Sequence, residues 1–198
     1  MQTLALATAV ILLLPIAANF HLRNVYRQTV AHYLAKLSPP PSVFIGDSIM
    51  TGGMWFDDLR NINLAANGLE THQIVKYLPH ARAYNPARIV IMAGMNDAIQ
   101  GTDVAKLKPL WETICAEPKI VVTLVTPSSD DGINQRIERI NHMIRETCPG
   151  RPIVALDVAD DGGRLRQEFS LDGIHLSAKG YERWVKALGF PDPSHTRR

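Results

Sequence analysis

Four short stretches of this 198-residue chain carry side chains that could do chemistry together. "FIGDSIMT" holds Ser48, "NLAANGLET" holds Gly68, "AGMNDA" holds Asn96, and "DGIHLSAKGY" holds Asp172 and His175. A serine hydroxyl is a weak nucleophile until a base takes its proton. Among the seven histidines, His175 is the best placed to act as that base. Asp172 precedes it by three residues, so in a turn or first helical coil the carboxylate can reach the imidazole, fix its tautomer and stabilise its charged form. Acyl transfer also needs donors aimed at the oxygen that gains charge. The Ser48 backbone N–H, a Gly68 N–H that no side chain obstructs, and the Asn96 amide are suitable. Each residue also has an ordinary reading. Ser48 can simply end a strand, "NG" is a common turn, Asn96 can cap a helix, and Asp172 can do the same with His175 a loop residue. Taken alone, the ordinary reading of Asp172 and His175 is the better one.

The elements that must hold these residues shift the balance. Apolar, β-branched runs appear at "SVFIG", "NINLAA", "ARIVIMAG", "KIVVTLVTP" and "RPIVALDV". Between them lie segments with helical spacing: "HQIVKYLPHARAY", "VAKLKPLWETICA" and "INQRIERINHMIRETC", the last with Ile133, Ile137, Ile140 and Ile144 recurring every three or four residues. A final helix is expected in "SAKGYERWVKALG", with Ser177 as N-cap and Gly189 as its stop. Continuous apolar strands alternating with helices predict an α/β fold, a five-stranded parallel sheet covered on both faces. Ligands of such sheets bind beyond the carboxyl ends of the strands. Ser48, Gly68 and Asn96 follow the first three strands, and Asp172 and His175 precede the last helix, so this architecture would gather them.

With that placement, the stretches resemble the SGNH/GDSL hydrolase family, whose blocks contribute Ser, Gly, Asn and His in this order. Ser48 matches the first block, Gly68 the second, Asn96 the third as Gly-x-Asn-Asp, and Asp172 with His175 the last as Asp-x-x-His. The second block departs from the pattern, with Ala65 or Ala66 where a glycine is frequent. The resemblance spans residues 43 to 188. It implies a three-layer α/β/α sandwich of flavodoxin type with no metal or organic cofactor. It also implies a triad of Ser48, His175 and Asp172, and an oxyanion hole of Ser48, Gly68 and Asn96. The expected activity is hydrolysis of carboxylic esters with short acyl or acetyl groups, on small molecules or carbohydrate, since no lid-length insertion is evident. An O-acetyltransferase or carbohydrate deacetylase would use the same residues, differing for the transferase only in the acceptor. A binding module that lost catalysis would not need them intact. "GDSIMTGG" lacks the Gly-Lys-Ser/Thr ending of a phosphate-binding loop.

The remaining polar residues read as structural. Asp47 and Asp97 are expected to brace the site loops, and His72 to lie on the surface at a helix start. Asp157, Asp160 and Asp161 fit a solvated turn better than a metal site. Met54 and Trp55 follow the nucleophile closely enough to line a substrate. Net charge is +2, with no basic stripe interleaved with aromatics, so nucleic acid is not an expected partner. A monomer is expected.

The chain is expected to divide into residues 1–20, 21–41, 42–190 and a flexible tail, 191–198. No side chain from Met1 to Phe20 is charged, and about 20 helical residues suffice to cross a bilayer core. A membrane anchor is the first reading. A cleaved signal peptide, giving an exported enzyme, is the second, weakened by the missing basic n-region. Residues 21–37 read as a basic amphipathic helix, followed by a stiff spacer at Pro39, Pro40 and Pro41. His21, Arg23, Arg27 and Lys36 alone would keep the domain in the cytoplasm, whereas enzymes with such leaders are often exported, so both sides of the membrane stay open. Cys115 and Cys148 each lie a few residues before an expected strand. If their helices are neighbours on one face of the sheet, a disulfide is geometrically possible and would imply an oxidising compartment. Two buried thiols are the slightly favoured reading.

Overall fold

The structure, a computed structural model, describes residues 40–53 and 61–189. The segments expected as an anchor, basic helix and tail, together with Met54 and Trp55, lie outside the described residues. Five strands form one sheet: β1 (Ser42–Ile45), β2 (Asn61–Asn63), β3 (Arg88–Ile91), β4 (Ile120–Thr123) and β5 (Ile153–Val154). All neighbours pair in parallel, in the order β2-β1-β3-β4-β5. Strand direction along the order reverses its progress between β1 and β3, which is the switch point where doubly wound sheets open a crevice. β1 and β3 occupy the middle. Val43, Phe44, Ile45, Ile89, Val90 and Ile91 have no exposed surface, because helices cover both faces.

One face carries α1 (Ser48–Thr51) and α7 (Ala178–Ala187). Tyr181 and Trp184 are the apolar anchors of α7. The fully buried Trp184 donates from Nε1 to Thr123 Oγ1 at 3.3 Å, and the Tyr181 hydroxyl donates to the Ile49 carbonyl at 2.7 Å. As expected, Ser177 caps α7, accepting from the Gly180 N–H, and Gly189 follows its end with φ +70°. The other face carries α2 (Thr71–Ile74), α3 (Leu78–Ala83), α4 (Met95–Gln100), α5 (Val104–Cys115) and α6 (Asp131–Thr147). In α6, Ile137, Ile140, Met143 and Ile144 face the core, the stripe predicted from the isoleucine spacing, with Ile133 only partly buried.

Three elements differ from the sequence reading. The helix expected over 72–84 is broken into α2, a 3-10 turn at Val75–Tyr77 and α3, with Pro79 starting the second piece where its missing N–H is not needed. The helix α4, which carries Asn96, was not expected. It starts at Gly94, whose φ of +123° few other residues adopt, and at six residues it is too short to show a periodicity. Cys115 and Cys148 are bonded to each other, with Cα atoms 5.2 Å apart, which corrects the two-thiol reading. Each closes a helix, α5 and α6, and these two helices are neighbours on one face. That adjacency is not visible in a single sequence.

Candidate active site

Ser48 is the first residue of α1. Asp47 caps this helix, its Oδ1 accepting from the Ile49 N–H at 3.0 Å. The turn from β1 into α1 therefore places the Ser48 side chain at the carboxyl end of a central strand. Asn63, at the end of β2, steadies it from the side, donating from Nδ2 to the Met50 carbonyl at 3.2 Å.

His175 and Asp172 come from a tight loop closed by an antiparallel bridge between Ser170 and Leu176. Leu171 N–H donates to the His175 carbonyl, and Ser129 N–H to the Gly173 carbonyl, which docks the loop on the segment after β4. His175 Nε2 lies 2.8 Å from Ser48 Oγ, and its Nδ1 lies 2.7 Å from Asp172 Oδ2. Asp172 does not cap a helix. Its Oδ1 accepts from the backbone N–H groups of Ile174, at 3.0 Å, and His175, at 2.8 Å. Those bonds, the His175 N–H first and its imidazole second, hold the carboxyl down at about 2. An ionised carboxylate only accepts, so Nδ1 must carry the imidazole proton and Nε2 is left to accept from the serine hydroxyl. The three groups form a line in which a proton can leave Ser48. Side-chain exposure is 37% for His175 and 54% for Asp172, so the site opens directly to solvent. The segment after β5, residues 155–177, is longer than the short loops expected, and its last part supplies the aspartate and histidine.

Gly68 lies on the loop after β2, and Asn96 reaches that loop from α4. Asn96, in the first turn of α4, donates from Nδ2 to the Leu69 carbonyl at 2.9 Å. That uses one amide hydrogen and leaves the second for a ligand. Gly68 has φ +75°, and its Cα faces open space. Its role as glycine is therefore conformational: a left-handed backbone that turns the loop, at a position where a side chain would fit but the backbone would be strained.

The remaining predicted residues separate cleanly. Asp47 is fully buried, with Oδ2 lacking a partner. Burial pushes its carboxyl up to about 7 against the opposing pull of nearby N–H groups and His175. His72 is exposed at the start of α2, 3.6 Å from Glu70. Asp160 accepts from Gly162 and Arg164 N–H groups in a turn, and Asp157 pairs with Arg166. No cluster of three or more metal-ligating side chains occurs among the described residues. A surface cavity of about 1280 Å³ runs along α6, but neither Ser48, Asn96 nor His175 lines it. Sequence reasoning did not single out Thr71, Asn63 or Tyr181, whose contacts become visible only once the loops are folded together.

The GDSL-like lipase/acylhydrolase family model matches residues 44–183. The chain belongs to this family. The fold agrees: a GDSL-like lipase from Bacteroides thetaiotaomicron superposes with a TM-score of 0.66 at 21% identity, over 82% of this chain and 95% of that one. The lipase/acylhydrolase from Enterococcus faecalis superposes with a TM-score of 0.61 at 24% identity, over 75% of this chain and 92% of that one. No curated protein matches the sequence.

Proposed function

We propose that this acylhydrolase-family protein is a serine esterase that cleaves carboxylic esters of short acyl groups through an acyl-enzyme. The observation that carries the reading is the hydrogen-bonded line from Ser48 Oγ through His175 to Asp172, at 2.8 and 2.7 Å. His175 Nε2 takes the Ser48 hydroxyl proton as Oγ attacks the carbonyl carbon. The carbonyl π bond opens and the oxygen becomes an oxyanion, held by the N–H groups of Ser48 and Gly68 and by the free Asn96 amide hydrogen. The tetrahedral intermediate collapses, the bond to the alcohol oxygen breaks, and His175 returns the proton to the departing alcohol. Water then attacks the acyl-enzyme, its proton passing to His175 and on to Ser48 as the carboxylic acid leaves. Asp172 stabilises the imidazolium in both halves. No step requires a metal or organic cofactor.

The openness of the site favours acyl groups that need no deep pocket, such as acetyl groups on carbohydrate or a small alcohol. Residues 1–20 would tether the enzyme to a membrane, and the Cys115–Cys148 bond favours an oxidising compartment on the far side from the cytoplasm. No described helix is long and apolar enough to cross a membrane, so the tether rests on the sequence alone. Hydrolysis of p-nitrophenyl esters from acetyl to long-chain, with fluorophosphonate labelling and peptide mapping, tests the chemistry. The expected result is label on Ser48 and a rate maximum at short chains. Label elsewhere, or none on active protein, overturns the nucleophile; a maximum at long chains overturns the substrate class.

A further inference from the structure

We infer that Asp97 and Thr71 are positioning residues that hold the two oxyanion-binding segments in register. The inference rests on the esterase reading above and concerns the same site. Asp97 follows Asn96 directly, and Thr71 lies three residues after Gly68. Asp97 Oδ2 accepts two hydrogen bonds from Thr71, one from its backbone N–H at 2.9 Å and one from its hydroxyl at 2.7 Å. Both residues are buried, Asp97 at 1% and Thr71 at 0% exposure. A carboxylate that accepts two donors away from water makes a short, directional contact. Alongside it, Asn96 Nδ2 holds the Leu69 carbonyl. Three hydrogen bonds therefore join two adjacent residues of α4 to the strip that runs from Gly68 into α2.

The arrangement does more than fasten a loop. Thr71 is the first residue of α2, whose N-cap, Glu70, exchanges hydrogen bonds with Gln73 in a capping box. The Asp97 contact thus fixes the start of a rigid turn, and the Gly68–Leu69 peptides are suspended between that turn and Asn96. Gly68, at φ +75° with open space where a Cβ would stand, has no side chain to anchor its direction. The orientation of its N–H relative to the Asn96 amide is set by what happens on either side, and Asp97 controls one side. Asp97 spends its Oδ2 on Thr71, so it acts on the oxyanion donors through the loop.

An oxyanion site that loses alignment loses its effect mainly in the transition state, so kcat falls while KM holds. Thr71→Val removes the hydroxyl donor and keeps the side-chain size. It is expected to lower kcat about ten-fold, short of the roughly 10²–10³ for removing a donor outright, with KM within about two-fold. Thr71→Ser, which restores the hydroxyl, is expected to recover most of the rate. Asp97→Asn, keeping the shape and one accepting oxygen, is expected to fall between them and serves if Thr71→Val does not fold. The decisive measurement is the same change made in an Asn96→Ala background. If Thr71 works through oxyanion alignment, its loss costs much less once Asn96 is gone. Equal losses in both backgrounds, an unchanged kcat in Thr71→Val, or a fall in Tm without a kcat effect overturns the inference. Failure of the esterase reading would register differently, as activity that survives Ser48→Ala in the otherwise native chain.

Discussion

At the scale of single residues, the site separates groups that would meet the substrate from groups that hold them. Ser48→Ala is expected to remove ester turnover almost entirely, and Asn96→Ala to lower kcat by roughly 10²–10³, both measured on p-nitrophenyl acetate with circular dichroism as the control for folding. Asp47 calls for a different measurement. Its folded-state carboxyl sits at about 7 against 3.8 in a free chain. The folded protein therefore keeps a proton that the unfolded chain has lost between those values. This contribution to stability is whole below about pH 3.8 and disappears as pH rises through about 7. Asp47→Asn, neutral throughout, is expected to flatten that fall; urea midpoints at pH 5 and pH 8 check it, and parallel curves for the two proteins would show that Asp47 is ionised throughout. The hydrogen-bonded set of Ser48, His175 and Asp172 lies on residues the sequence could mark, because Ser48 ends an apolar run and Asp172 and His175 stand just ahead of the capping Ser177 of a helix. Asp97 was readable only as a brace. Its partner, Thr71, lies 26 positions away, and nothing local to either residue names the other.

At the scale of elements, what could be read depended on length. α6 and α7 announce themselves by periodicity and caps, whereas α4 is one and a half turns entered through a left-handed glycine and could be found only by folding. The disulfide belongs here too. It joins the ends of α5 and α6 at the amino ends of β4 and β5, opposite to the carboxyl ends where Ser48 and Asn96 stand. A bond across 33 positions restricts the unfolded chain enough to contribute about 3–4 kcal/mol. Cys115→Ala with Cys148→Ala is expected to lower unfolding stability by about that amount and to leave kcat on short esters near the native value, as followed by thermal melting and steady-state rates. A large loss of kcat in still-folded protein would mean that the two ends of the helical layer are mechanically coupled.

At the scale of the whole molecule, the fold follows from a small set of choices. Alternating strands and helices demand a parallel sheet, right-handed crossovers limit its order, and the polar residues collect at one end. The sequence reading sets the start of the domain at residue 42, where the break made by Pro39 to Pro41 ends. β1 begins at Ser42, and the Ala87 N–H donates to the Pro41 carbonyl, so the last proline is already part of the domain. A chain trimmed to residues 40–190 is expected to unfold in one cooperative transition and to keep the esterase rate of the full chain, which urea titration with activity measurements can check. Loss of folding on trimming would place part of the leader within the domain. The sheet's outer strands carry a last consequence. β2 is three residues long and β5 only two, entered through Pro152. Unpaired edges of that length give a passing chain little to copy, so crowded or partly unfolded molecules have few places to begin stacking strand on strand. Where copies of this domain do associate, the described strands direct them to meet through helix surfaces, and fibrous deposits should be slow to seed from the folded state.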